Sequence, residues 1–136
     1  MKPTVYLAAR YARLHEMQHC ADELRDLGFD VCSSWHESEA DPHDETTDPL
    51  DLQHAAQTCL YDIGTADMLI LFTEPAGQID GATRGGRHVE MGIALGYHLH
   101  VLTVGPPESA FCYLPLVTNY PTFMGLLTDL EGFPDD

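Results

Sequence analysis

Met68-Leu-Ile-Leu-Phe-Thr73 is an uncharged run, apolar up to its closing threonine, with no polar alternation. Such a run reads as a strand buried on both faces, which happens where helices cover both sides of a parallel sheet. Working outward, Leu50 to about Gly64 reads as a helix before this strand. After it come a glycine-containing loop from Glu74 to Gly86, a helix from Arg87 to Tyr97 and a strand from Leu99 to Val104. Towards the N-terminus, Thr4 to Ala9 (TVYLAA) is a strand and Arg13 to Leu27 an amphipathic helix that Gly28 stops. Phe29 to Ser33 is a further strand, followed by a long acidic loop from Trp35 to Pro49. Val117 to Tyr120 and Phe123 to Leu130 supply a last strand and helix.

Strands alternating with helices of this length specify an α/β fold. Right-handed crossovers make it a flavodoxin-like, doubly wound, parallel five-stranded sheet, ordered 2-1-3-4-5, with helices on both faces. The order reverses between strands 1 and 3. Ligands are therefore expected between the loop after Ala9 and the loop after Thr73.

The 136 residues are expected to form a single domain spanning 1–136, with 44% hydrophobic residues to build its core. The balance of 22 Asp+Glu against 6 Lys+Arg gives a net charge of −16. A surface that negative repels phosphate backbones and acidic headgroups, so neither nucleic acid nor membrane is an expected partner. No apolar run approaches membrane-spanning length, and the N-terminal residues carry no signal-peptide core. The four cysteines (Cys20, Cys32, Cys59, Cys112) form no Cys-x-x-Cys pair and read as reduced thiols of a cytoplasmic protein.

The loop after strand 3 runs into Gly85-Gly-Arg-His-Val-Glu90-Met-Gly-Ile-Ala-Leu-Gly96. Gly85 and Gly86 let backbone N–H groups approach an anion or a hydroxyl where the helix begins. Glu90, expected in the first turn, is either a catalytic nucleophile or base, or an acid that merely favours the helix dipole. Gly92 and Gly96 read as helix-packing residues and belong to no dinucleotide fingerprint. Of five arginines, Arg10, Arg13, Arg84 and Arg87 lie in or beside the two selected loops. They form either a positive island for a small anion or ion pairs with the abundant acids.

His15-Glu-Met-Gln-His19 matches the zinc signature His-Glu-x-x-His. On the helical wheel, however, Leu14, Met17, Cys20, Ala21, Leu24 and Leu27 make the apolar face, and both histidines point to solvent. A small zinc hydrolase is thus the third reading, and no metal or cofactor is expected.

Val5-Tyr-Leu-Ala8, Ala66-Asp67, the GGRHVEMGIALG segment and Val104-Gly-Pro106 through Leu114-Pro115 together resemble the nucleoside 2-deoxyribosyltransferase superfamily, which includes 2′-deoxynucleoside 5′-phosphate N-hydrolases. The resemblance covers Thr4 to about Leu130 and is most specific at the glycine-to-glutamate segment. It implies a retaining displacement at C1′ of a (deoxy)nucleoside or its 5′-monophosphate, with Glu90 as nucleophile and Tyr6 positioning it. It also implies an aspartate on the helix before strand 3 that helps to protonate the departing base. Counted back from Asp67, that position is Cys59 here; Asp62, one turn on, is the carboxylate that could serve instead.

Where hydrolases of phosphorylated substrates place a serine, this chain has Arg84, with Thr83 offset by one residue. Ala8, Arg10, Arg13, Trp35, Thr83, Arg84, Gly85, Gly86 and Arg87 are accordingly the expected substrate-binding residues. Trp35 either stacks on the base or caps the core at the end of strand 2. The resemblance further implies a homodimer or larger homo-oligomer, with Gly105 to Asn119 at the interface. The alternative from another class is a nucleotide-binding or sensing domain of the same fold that lacks turnover, a reading that Cys59 supports.

Overall fold

The computed structural model describes residues 2–37, 48–75 and 85–133. Five parallel strands form one sheet: β1 (Thr4–Ala8), β2 (Asp30–Val31), β3 (Met68–Phe72), β4 (His100–Val104) and β5 (Val117–Tyr120). Their order is β2-β1-β3-β4-β5, every neighbouring pair parallel. This is the flavodoxin-like, doubly wound arrangement expected from the alternating elements. Among the described residues, four α-helices connect or follow the strands: α1 (Leu14–Asp26), α2 (Pro49–Gly64), α3 (Gly86–Gly96) and α4 (Phe123–Glu131).

The period of two along each strand divides the core. Val5, Leu7, Met68, Ile70, Phe72, Leu102 and Val104 pack on one face against Met17, Ala21 and Leu24 of α1 and Leu126 and Leu130 of α4. Tyr6, Ala8, Leu69, Leu71 and Val101 pack on the other, against Ile63 of α2 and Met91 and Ala94 of α3. All five residues of β3 are buried. Burying each such side chain stabilises the fold by roughly 1.5–3 kcal/mol. The alternation also decides what Tyr6 can meet, since its face of the sheet is the one covered by α2 and α3.

Helix ends follow their capping residues. Asp48 accepts from the Leu50 N–H at 2.8 Å, and Pro49 opens α2 with the φ that a first helical turn needs. Thr122 caps α4 by accepting from the Gly125 N–H at 3.1 Å. Gly85 stands before α3 in the left-handed region, with φ of 75°.

One strand is shorter than its sequence suggests. β2 covers Asp30–Val31 rather than Phe29 to Ser33, because side chains take over the ladder. Cys32 N–H still donates to Val5 O at 2.9 Å, but beyond it Ser33 Oγ accepts the Leu7 N–H at 3.1 Å and Trp35 Nε1–H donates to Leu7 O at 2.7 Å. Most of the two long loops expected at 35–49 and 74–86 lies outside the described residues.

Candidate active site

The C-terminal ends of β1 and β3, where the strand order reverses, carry two groups of side chains. The first centres on Glu90. The Tyr6 hydroxyl donates to Glu90 Oε2, and the Cys59 thiol of α2 lies close enough to both to influence their protonation. Three elements thus converge on one carboxylate: β1 from beneath, α2 from the side and α3 itself. Glu90 is the fifth residue of α3, not a member of its first turn as the sequence suggested, because the helix starts at Gly86. The dipole effect fades beyond the first turn, so burial governs this carboxyl.

Burial pushes Glu90 up to about 7, against the opposing pull of the hydrogen bonds from Tyr6 and Cys59. Tyr6 is raised far beyond the ordinary tyrosine range, first by burial and then by the Glu90 charge. It remains a hydroxyl and therefore a donor. Cys59 is pushed up to about 11, again first by burial, and stays a neutral thiol. Near neutral pH the cluster holds one carboxylate that can exist in both forms, beside two neutral donors. That is the electrostatic profile of a nucleophile or base.

The second group ties the two switch-point loops together. Glu74, the buried residue just beyond β3, receives Arg13 Nη1 at 2.9 Å on Oε2 and Arg10 Nη1 at 3.3 Å on Oε1. Arg13 also grips Glu16 through two bonds of 2.8 and 2.7 Å, donates to Thr73 O at 3.1 Å and lies 5.4 Å from the Phe72 ring centroid. Arg87, the second residue of α3, is buried with its Nη2 2.9 Å from Glu108 Oε2. Of the two uses considered for the arginines, ion pairing is what these three show. Their charges are countered locally, so they do not make an open positive island. Arg84 and Thr83 lie outside the described residues.

The remaining expected residues have definite places. Ala8 is buried at the end of β1 on the Tyr6 face. Gly85 and Gly86 form the start of α3. The Trp35 indole is fixed by its bond to Leu7 O and packs on both core layers, 6.1 Å from the Tyr11 ring. Asp62 is buried, but its Oδ2 accepts from the Ser34 N–H at 3.1 Å and the Ser34 hydroxyl at 2.6 Å. The residue of α2 beside Glu90 is Cys59. His15 and His19 are exposed on α1, with His19 Nε2 3.2 Å from Glu23. Among the described residues, no group of three metal-ligating side chains gathers, and no helix is long and apolar enough to cross a membrane.

Sequence reasoning missed Glu74 as the anchor of both arginines. Its signal was present: it is the first charged residue after the apolar β3 run, where the switch point must lie.

Comparison with solved structures adds to this geometry. The chain is similar to a 2-deoxyribosyltransferase from Bacillus psychrosaccharolyticus, with a TM-score of 0.71, 19% identity and coverage of 97% of this chain and 93% of that one. It is also similar to the CMP N-glycosidase of Clostridium botulinum, with a TM-score of 0.57, 17% identity and coverage of 94% and 98%. At these identities the likeness is one of fold, end to end. No family model and no curated protein matches the chain.

Proposed function

We propose that this protein cleaves or transfers the sugar at the N-glycosidic bond of a (deoxy)nucleoside or its 5′-monophosphate. Glu90 is the nucleophile of a retaining displacement. The observation that carries this reading is the Glu90 carboxylate at the switch point, half-buried and held by Tyr6, with Cys59 beside it. The fold shared with a deoxyribosyltransferase and an N-glycosidase supports the same chemistry. Attack on C1′ would form a glycosyl ester on Glu90, and water or a second base would resolve it.

In this reading Tyr6 keeps the attacking oxygen in place, while the Gly85 and Gly86 backbone and the Trp35 edge border the substrate. Arg10 and Arg13 act by fixing the loops through Glu74. The exposed apolar side chains Phe111, Tyr113, Leu114 and Leu116 support a homo-oligomer. The test is incubation with deoxynucleosides, ribonucleosides and their 5′-monophosphates, with and without acceptor bases, followed by chromatography. Free or exchanged base that disappears in Glu90→Ala is the expected result; base release that survives it overturns the assignment.

Cys59 favours one second reading, a nucleotide-binding domain without turnover. Saturable binding of a nucleotide with no base released over long incubation would establish that reading in place of the first.

A further inference from the structure

Cleavage of an N-glycosidic bond makes two demands: a nucleophile at C1′ and an easy departure for the base nitrogen. Glu90 meets the first. The second is where the geometry is informative. Among the described residues, the Glu90 carboxylate accepts a hydrogen bond from a phenol, Tyr6, and has a thiol, Cys59, beside it. Both stay protonated far above neutral pH, and the phenol already gives its proton to the Glu90 carboxylate in a hydrogen bond. Groups so weakly acidic are poor proton donors to a leaving nitrogen near pH 7. Asp62 is committed elsewhere: its carboxylate takes two bonds from Ser34, and its backbone carbonyl accepts the Cys32 thiol at 3.2 Å. These bonds hold Asp62 to the segment after β2.

We infer that this site is fitted to N-glycosides whose base already carries a positive charge, such as N-alkylated purine or pyridinium nucleosides, with Cys59 as the residue that sets this preference. The inference rests on Glu90 being the nucleophile. A cationic base leaves without a proton. As the Glu90 oxygen bonds to C1′, the C1′–N bond breaks and its electron pair returns to the ring nitrogen, cancelling the charge. Water then bonds to C1′, the Glu90 carboxylate departs, and the water proton passes to solvent.

Two further features agree with a cationic substrate. The net charge of −16 concentrates cations around the molecule. Arg10 and Arg13, beside the switch point, are countered by Glu74 and Glu16. The neutral thiol also has a use. A second carboxylate in its place would push Glu90 higher still by like-charge repulsion, leaving less of the nucleophile ionised at neutral pH. Among the described residues, the Glu90 cluster keeps the nucleophile and has a thiol where an acid would serve.

The test compares 7-methylguanosine with guanosine, each as riboside and 2′-deoxyriboside, after subtraction of the spontaneous rates. Nicotinamide riboside serves as the pyridinium case. In the wild type, kcat/KM for the methylated nucleoside is expected to exceed that of its parent by about 100-fold or more, the size of a missing general-acid contribution. Cys59→Asp is expected to raise guanosine cleavage roughly tenfold or more without helping 7-methylguanosine. Cys59→Asn, of the same shape but with no acidic proton, gives no such gain. Melting temperatures of both variants confirm that the comparison is made on folded protein.

A methylated-to-parent ratio below about tenfold, or equal guanosine rates in the folded Asp and Asn variants, overturns the inference. Rapid release of guanine that Glu90→Ala abolishes would overturn it while leaving the glycosidase reading standing. No cleavage of any of these nucleosides or of their 5′-monophosphates, or cleavage indifferent to Glu90→Ala, removes that reading and this inference with it.

Discussion

The Tyr6 hydroxyl donates to the Glu90 carboxylate across 84 residues of sequence. No local rule brings them together. Tyr6 faces α3 because side chains alternate along β1, and α3 crosses that face because the crossover between parallel strands is right-handed. Once joined, they are interdependent: the phenol stays protonated beside the carboxylate charge, and its proton stabilises that charge.

Removing the hydroxyl therefore acts on the ionised form of Glu90. In Tyr6→Phe the ring still fills its place in the core, but a bond to a charged acceptor is lost. Such a bond is worth about 1.5–3 kcal/mol. The hydrogen bond from Tyr6 lowers the Glu90 value, so its loss raises it. The acidic limb of the pH profile of kcat/KM should move upward, and activity at pH 7 should fall roughly 10- to 100-fold. An unmoved limb would show that Tyr6 does not act through Glu90.

Glu90 also makes stability depend on pH, with a sign opposite to that of a salt-bridged acid. Its value rises from the ordinary 4.5 to about 7 in the folded protein. Between those pH values the folded protein keeps a proton that the unfolded chain has lost, so this group's contribution declines as pH rises and levels off above about 7. Glu90→Gln carries no such proton. Its stability relative to wild type should be near level at pH 4 and rise to as much as about 3 kcal/mol in its favour at pH 8. Urea denaturation of both proteins across this range measures the difference; a flat difference would mean the carboxyl is not burdened by burial.

The elements legible in the sequence were those written in periodicity. MLILFT, the apolar stripe of α1, the stop at Gly28 and the helix start at Gly85 depend on neighbours a few residues away. Val117–Tyr120 was readable for the same reason, as was Glu90 on its glycine-led helix. The rest depends on partners the sheet brings together. Trp35 and Ser33 shorten β2 by giving side chains to Leu7, which no pattern in residues 29–35 announces. Arg10 and Arg13 look like anion ligands until β1 and β3 pair in register and set Glu74 between them. Cys59 is an ordinary helix residue until α2 and α3 cover Tyr6.

The Glu74 junction should be a matter of architecture. Glu74 is buried and takes two guanidinium groups that are themselves mostly covered. Glu74→Gln leaves Arg10 and Arg13 facing each other without the charge that reconciles them, although Glu16 still holds Arg13. Because the arginines keep partial contact with water, the expected loss is about 1–3 kcal/mol, below that of a fully buried pair. Chemical denaturation reads it directly. A loss below about 0.5 kcal/mol would place this contact among ordinary surface ion pairs.

Gly105 closes β4 with φ of 111°, a conformation that L side chains rarely adopt. Its N–H donates to Tyr120 O at 2.8 Å, which fixes the turn against the end of β5. A Cβ at this position would run into Thr73 Oγ1, and that hydroxyl is itself held by Val104 O at 3.1 Å. Gly105→Ala therefore meets backbone strain and a collision at once, and Thr73 cannot give way without losing its own bond. The expected cost is about 2–4 kcal/mol. Since Thr73 precedes Glu74, the displacement should reach the switch point and lower kcat in the folded fraction. Gly105→Ala with Thr73→Ala removes the collision but keeps the strained φ, so it should recover part of the stability and not all of it. Full recovery would assign the whole effect to the clash, and no recovery would assign it to the backbone.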